Sequence, residues 1–95
     1  MDLTEARAVI NQADEEIVRA FAKRMEAVVS VAEYKKANGL PILDASREAV
    51  VLDRVEKMAG EALGAEARRL YTEIMAISRD YQARLLGLDG GADGK

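Results

Sequence analysis

The sequence contains no cysteine and no histidine, and Pro41 is the single proline among its 95 residues. Disulfides, thiolate nucleophiles, Cys/His zinc sites and every catalytic triad that needs His or Cys are therefore excluded. Aromatic residues make up only 4% of the chain, which leaves no stacking platform for single-stranded nucleic acid. Chemistry in this chain must depend on cationic, carboxylate, amide or hydroxyl side chains, or on an exogenous metal.

Charge and hydropathy narrow the class of protein further. Apolar residues make up 49% of the chain, charged residues make up 33%, and the net charge is −3, which is typical of one globular domain. The mild acidity and the scattered basic residues argue against general nucleic-acid binding. No apolar run approaches membrane-spanning length and the N-terminus lacks an apolar signal core, so we expect a cytoplasmic protein without a membrane partner.

Helical periodicity runs through the first 37 residues without interruption. Asp2 and Glu5 have the spacing of a capping box, and the first breakers come at 38–41, Asn-Gly-Leu-Pro. Apolar residues between these signals recur at helical spacing, for example Leu3, Ile10 and Ile17. We predict one helix over about residues 3–37.

The rest of the chain also has helical periodicity, and no strand pattern competes with it. We predict a second helix from about Ala45, capped by Asp44, to a weak stretch at Gly60 and Gly64. A third helix is expected over 65–86. The predicted fold is therefore all-α, with three helices per chain, one of them very long.

The first helix is too long for a domain of this size. About 35 residues at ~1.5 Å each give ~50 Å, whereas a compact chain of this length has a radius of gyration of ~12 Å. Because the apolar stripe continues along the full length, two shorter helices cannot cover it, and we expect an interlocked homodimer. The folded domain is predicted over residues 1–87, and residues 88–95 are predicted to form a disordered tail or the start of a linker.

Three charged residues lie on the apolar stripes rather than on the solvated faces. Arg24 is one heptad from both Ile17 and Val31, Lys35 continues the same line, and Glu48 lies on the inner face of the second helix. A buried charge without a partner costs several kcal/mol, so these groups need partners or a ligand. Two readings stay open: an ion-pair network of Arg24 and Lys35 with Glu48, or a binding site.

The spacing of the cationic residues along the first helix bears on the second interpretation, a binding site. Arg24 and Lys35 are ~16 Å apart along the helix, so both side chains could hold one small anion between them. Arg7 flanks the same stripe but lies ~25 Å from Arg24, so it could reach that anion only from a partner chain. Ser78 and Gln82 form an i, i+4 pair at the edge of the last apolar stripe, where a helix–helix contact is the simpler explanation.

Taken together, these positions resemble the all-helical (AroQ-type) chorismate mutases over about residues 3–86. The order and spacing of the polar residues carry the resemblance, within the segments LTEARAVINQAD, KRMEAVVSVAEYKK, GLPILD, DASRE and ISRDYQ. The matching residues are Arg7, Arg24, Lys35, Asp44, Arg47, Glu48, Ser78 and Gln82.

The resemblance implies a homodimer with two equivalent sites, each completed by Arg7 of the other chain. The implied reaction is the Claisen-type rearrangement of chorismate to prephenate in Phe and Tyr biosynthesis, which needs no metal, no cofactor and no covalent intermediate. Arg24 and Arg7 are implied to bind the two carboxylates of the substrate, while Lys35 and Gln82 donate hydrogen bonds to the ether oxygen.

The remaining roles are also implied by the resemblance. Glu48 is expected to accept a hydrogen bond from the substrate hydroxyl and to position Lys35. Asp44 and Ser78 are expected to complete the polar contacts, and Arg47 is expected to support the loop and the site. Two other functions fit the same helices: isochorismate pyruvate lyase activity, and a non-catalytic dimerisation module with structural ion pairs.

Overall fold

The computed structural model describes residues 1–87, and the predicted tail at 88–95 lies outside the described residues. Two helical elements make up the described chain: α1, Leu3–Ala37, and α2, Ala45–Leu85. No strand occurs within residues 1–87. The predicted all-α class is confirmed.

Helix α1 has the bounds and the cap that the sequence predicts. The Glu5 N–H donates to Asp2 Oδ1 at 2.8 Å, and the Asp2 N–H donates to Glu5 Oε1 at 3.0 Å, which completes a capping box. The molecule measures 52 Å along its longest axis, and its radius of gyration is 16.6 Å. Both values reflect a helix of 35 residues that extends beyond the rest of the chain.

The structure has two helical elements where three helices were predicted, because α2 contains two helices that meet at Gly60. Helical geometry resumes directly after Gly60, so no loop separates the predicted second and third helices, and α2 is one element. Gly60 itself is not helical, with φ of 80° and ψ of −179°. At this residue α2 reverses direction, because Glu48 and Arg79 are hydrogen bonded although a straight helix would separate them by ~46 Å. We call residues 45–59 the first arm and residues 61–85 the second arm.

The two arms lie close together next to the reversal. A Cβ atom at Gly64 would be 3.1 Å from Glu56 Cγ and 3.2 Å from the Glu56 carbonyl oxygen, so the absence of a side chain permits the close approach. Arg68 then bridges back to the first arm through Asp53 at 3.0 Å and Glu56 at 2.8 Å. The hydrogen bonds that Arg68 donates to Asp53 and Glu56 raise the pKa of its guanidinium.

The buried core is small and lies at one end of α1. Val51, Val55 and Met75 form a cluster between the arms, and Leu52 and Tyr71 pack against it. On α1, the buried residues are Val28 and Ala32, both in its C-terminal half. This end of the molecule therefore fixes how α1 sits against both arms of α2.

The N-terminal half of α1 carries apolar side chains that this chain does not cover. Leu3, Ile10 and Ile17 are each more than half exposed, with exposed fractions of 65%, 56% and 61%. No residue before Val28 is buried. Within residues 1–87, neither helix is both long and apolar enough to cross a membrane.

We predict that Gly60→Ala lowers the free energy of unfolding by about 1–3 kcal/mol, since the Gly60 backbone conformation is nearly restricted to glycine. A steric clash does not contribute to this destabilisation, because a Cβ atom at Gly60 would meet nothing within 4 Å. Denaturant unfolding at equal protein concentrations measures the change. Glu61→Ala, at the exposed neighbouring position, is the matched control and should change stability by less than about 0.5 kcal/mol. Equal stability of the two variants would contradict the backbone strain expected for alanine at position 60.

Candidate active site

One pocket of about 300 Å³ lies where the C-terminal half of α1, the connection 38–44 and both arms of α2 meet. Its apolar wall includes Val28, Val51 and Met75, all of which are buried. The polar side chains that line it come from all four segments: Arg24, Lys35, Asp44, Arg47, Glu48, Arg54, Ser78, Arg79 and Gln82. Seven of the eight residues that the sequence singles out are therefore brought together.

The charges in the pocket favour an anionic ligand. Among the described residues, five cationic side chains and two carboxylates line it, so positive charge is in excess. Charges in a cleft with low-dielectric walls act more strongly than charges in open water. A larger hollow of about 540 Å³ is formed by the second arm alone. That hollow does not bring together polar side chains from different elements, whereas the smaller pocket does. The smaller pocket is therefore the candidate site.

Arg24 points into the pocket, as its place on the apolar stripe predicts. Its Nη1 donates to Ser78 Oγ at 2.9 Å, and its guanidinium carbon lies 5.7 Å from the centre of the Tyr71 ring. Ser78 Oγ in turn donates to the Ile74 carbonyl oxygen at 2.9 Å, one helical turn earlier. Arg24 is thus held by contacts to the second arm, and its guanidinium keeps further donors for a ligand.

The C-terminal cap of α1 determines where the Lys35 side chain lies. The Gly39 N–H donates to the Lys36 carbonyl oxygen and the Leu40 N–H to the Lys35 carbonyl oxygen, which is the Schellman pattern. Gly39 has a φ of 64°, a conformation that favours glycine. The chain therefore turns back, and Lys35 Nζ donates to the Ile42 carbonyl oxygen in the connection. An ammonium group has three donors, so this contact leaves others available.

Asp44 caps the first arm, as predicted. Its Oδ1 accepts hydrogen bonds from the Arg47 N–H at 3.1 Å and from Ser46 Oγ at 3.3 Å. Arg47 supports the helix start through its backbone, while its side chain reaches the pocket lining. The cap places the carboxylate at the edge of the pocket.

Glu48 points inward as predicted, but its partner differs from the expected one. Arg79 Nη1 lies 2.6 Å from both carboxylate oxygens of Glu48. Neither Lys35 nor Arg24 pairs with Glu48, so the predicted ion-pair network was wrong, and so was the contact through which Glu48 would position Lys35. The physical reason is that Lys35 reaches the connection and Arg24 reaches Ser78, while Arg79 faces Glu48 from the opposite arm.

Gln82 is the most deeply placed polar side chain of the pocket, with 5% of its surface exposed. Its Nε2 donates to the Ser78 carbonyl oxygen at 3.3 Å, and its Oε1 has no hydrogen-bond partner within residues 1–87. A buried polar atom without a partner costs about 1–3 kcal/mol. A ligand group that donates a hydrogen bond to Gln82 Oε1 would recover this free energy.

Arg7 is the one predicted site residue that does not line the pocket. It is exposed on the N-terminal part of α1, ~25 Å along the helix from Arg24. Its predicted role requires a second chain and stays a prediction.

Two residues of the pocket were not anticipated from the sequence: Arg54 and Arg79. Arg54 follows Arg47 by seven residues, and Arg79 precedes Gln82 by three, so helical spacing from accepted site residues could have found both. They were missed because arginines at the edge of an apolar stripe usually belong to a solvated face.

Comparison with known proteins decides the family. The family model for chorismate mutase type II matches residues 6–83, which include every polar residue of the pocket and Arg7. The chain belongs to the chorismate mutase type II family. The resemblance inferred from the sequence is thereby confirmed.

Relatives within curated proteins agree with this assignment. The chain is 36% identical over 78 residues, 82% of its length, to the T-protein of Haemophilus influenzae. It is 37% identical over 59 residues, 62% of its length, to the chorismate mutase of Methanocaldococcus jannaschii. A third relative is the bifunctional chorismate mutase/prephenate dehydratase of Buchnera aphidicola, at 39% identity over 57 residues, 60% of the chain.

The chain spans only part of the length of each relative. The matched regions are 17% of the T-protein, 60% of the archaeal chorismate mutase and 15% of the bifunctional protein. No solved structure has a significant match to the chain.

Proposed function

We propose that this chain is a chorismate mutase that converts chorismate to prephenate by an intramolecular [3,3] rearrangement. The observation that carries the proposal is the pocket of this family member: it combines an excess of cations, an apolar wall and a buried amide, Gln82, whose Nε2 gives one of its two N–H donors to Ser78 and keeps the other. Chorismate has two carboxylates, an ether oxygen and a hydroxyl, and the pocket offers a group for each.

Arg24 binds one carboxylate of chorismate in this proposal. Guanidinium–carboxylate bonds are charge-assisted and can be bidentate, so they fix orientation as well as position. Arg24 is already held by Ser78 and the Tyr71 ring, which lowers the cost of ordering it when substrate binds. Restraining a flexible substrate in its reactive conformer removes part of the barrier.

Lys35 and Gln82 face the ether oxygen, where negative charge develops as the C–O bond breaks. Hydrogen-bond donors aimed at a developing charge stabilise the transition state more than the ground state. Burial of Gln82 places its amide in a low-dielectric environment, where such a donor is effective. An acceleration of about 10⁶-fold corresponds to ~8 kcal/mol, which a carboxylate clamp and two aimed donors could supply.

The remaining groups bind the periphery of the substrate. Glu48 accepts a hydrogen bond from the hydroxyl, and Asp44 and Ser78 complete the polar contacts to the hydroxyl and the ring carboxylate. Arg47 supports the start of the first arm through its bond to Asp44. No step requires proton transfer, a metal or a cofactor.

The protein acts as a homodimer in this proposal. The apolar side chains of Leu3, Ile10 and Ile17 are exposed in the single chain and are expected to be buried by a partner. A second copy of the chain carries an apolar stripe of the same length, which could pack against them. A groove of about 460 Å³ between α1 and the second arm, lined by Phe21, Met25 and other apolar residues, adds to the surface that a partner could bury. Each partner would contribute Arg7 to the other site. A cytoplasmic location stays a prediction from the sequence.

A substrate assay tests the activity, with chorismate and isochorismate offered separately. We expect chorismate to be consumed and prephenate to appear. Lys35→Ala should lower kcat/KM by about 10²- to 10³-fold, the usual effect of removing one oxyanion donor, with the thermal midpoint nearly unchanged. Lys36→Ala is the matched control, because Lys36 is exposed outside the pocket and its loss should leave turnover intact.

Other outcomes of this assay would identify the alternatives. Pyruvate released from isochorismate would indicate the lyase. Absence of turnover with either substrate, together with a marked loss of stability in Lys35→Ala, would indicate a non-catalytic dimerisation module.

We predict that Gln82→Glu shifts activity towards acid pH. A carboxyl group donates a hydrogen bond to the ether oxygen only when protonated, and an unperturbed Glu has a pKa of about 4.3. Activity of the variant should therefore rise as pH falls, relative to the wild-type chain at the same pH. A pH–kcat/KM profile parallel to that of the wild type would exclude Gln82 from the ether oxygen.

Hybrid dimers test the role of Arg7. Arg7→Ala and Arg24→Ala chains should each be inactive, because each homodimer lacks one guanidinium at both sites. After mixing and refolding, half of the dimers are hybrids with one intact site, so activity should recover to about a quarter of the wild-type value. If native mass spectrometry detects hybrids but activity does not return, Arg7 does not act across chains.

A further inference from the structure

The ion pair between Glu48 and Arg79 is an interaction of the pocket that the proposed roles leave unexplained. Arg79 Nη1 lies 2.6 Å from each carboxylate oxygen of Glu48. Both side chains are partly buried, with exposed fractions of 34% for Arg79 and 24% for Glu48. Charge-assisted hydrogen bonds in such surroundings are stronger than those at an open surface.

The pair joins two walls of the pocket. Glu48 is in the first turn of the first arm, and Arg79 is on the second arm between Ser78 and Gln82. The Glu48 carboxylate is therefore oriented from across the pocket, by a residue next to two groups of the proposed site.

The pair also determines which cations are available to a ligand. Lys35 donates to the Ile42 carbonyl oxygen and Arg24 to Ser78 Oγ, so neither is neutralised by Glu48. A carboxylate not held by Arg79 could turn to these cations and compete with the substrate carboxylates for them.

We propose that Arg79 is a positioning residue for Glu48 in the proposed mutase reaction, and this inference rests on that function. Arg79 holds the Glu48 carboxylate towards the substrate hydroxyl and away from Lys35 and Arg24. An ionised carboxylate has about four acceptor positions. Arg79 occupies one on each oxygen and leaves the others for the hydroxyl.

A double-mutant cycle tests whether Arg79 acts through Glu48. The variants are Arg79→Met, Glu48→Gln and the double variant, with kcat and KM for chorismate and the thermal midpoint measured for each. Arg79→Met should lower kcat by about tenfold, the scale of one charge-assisted hydrogen bond. The same change made in the Glu48→Gln variant should cost less than about twofold, because the group that Arg79 positions is already altered.

Two further variants separate positioning from stability. Arg79→Lys keeps the charge and should lose less activity than Arg79→Met, and it keeps the test valid if Arg79→Met does not fold. Arg69→Met is the matched control, because Arg69 lies on the same arm outside the pocket and should leave kcat unchanged.

Three outcomes would overturn the assignment. An equal loss from Arg79→Met in both backgrounds with a raised KM would mean that Arg79 binds the substrate directly. An equal loss accompanied by a lower thermal midpoint, not rescued by Arg79→Lys, would mean that the pair only stabilises the fold. A wild-type chain that does not convert chorismate would overturn the proposed function itself, and this assignment with it.

Discussion

The reversal of α2 at Gly60 is the constraint on which the pocket depends. Because the backbone turns there without a loop, the two arms of one helical element become neighbours, and residues 31 positions apart come within hydrogen-bond distance. Gly64 then permits the arms to approach closely, and Arg68 bridges them near the reversal. The second arm, which this reversal brings back, supplies three groups of the pocket: the apolar side chain of Met75, the Ser78 hydroxyl that accepts from Arg24, and the buried Gln82 amide.

The features that follow from local chemistry were predictable from the sequence. The capping box of Asp2 and Glu5, the end of α1 at the Gly39 turn and the Asp44 cap each depend on residues within a few positions of one another. The inward direction of Arg24 and Lys35 followed from helical periodicity, and the pocket lining agrees with it.

The choice of partners could not be predicted in the same way. Periodicity gives the face on which a side chain lies, but the partner of Glu48 depends on how the arms align after the reversal. Helical spacing places Arg79 near Gln82, but it does not identify Glu48, 31 positions away, as the partner of Arg79. The number of helical elements differed from the prediction for a related reason. Gly60 and Gly64 indicated a break of several residues, whereas Gly60 alone, in a conformation nearly restricted to glycine, reverses the chain.

Sequence separation also has a consequence for the order in which the pocket forms. Side-chain hydrogen bonds between the arms of α2 span 12 to 31 positions, as in Arg68–Glu56 and Arg79–Glu48. The contact of Arg24 with Ser78 spans 54 positions and joins two different helical elements. Closing a longer loop costs more chain entropy, and contacts of high separation slow folding. We therefore expect the two arms of α2 to pair before α1 docks, so that the cationic pocket, which needs side chains from both α1 and α2, is completed late in folding.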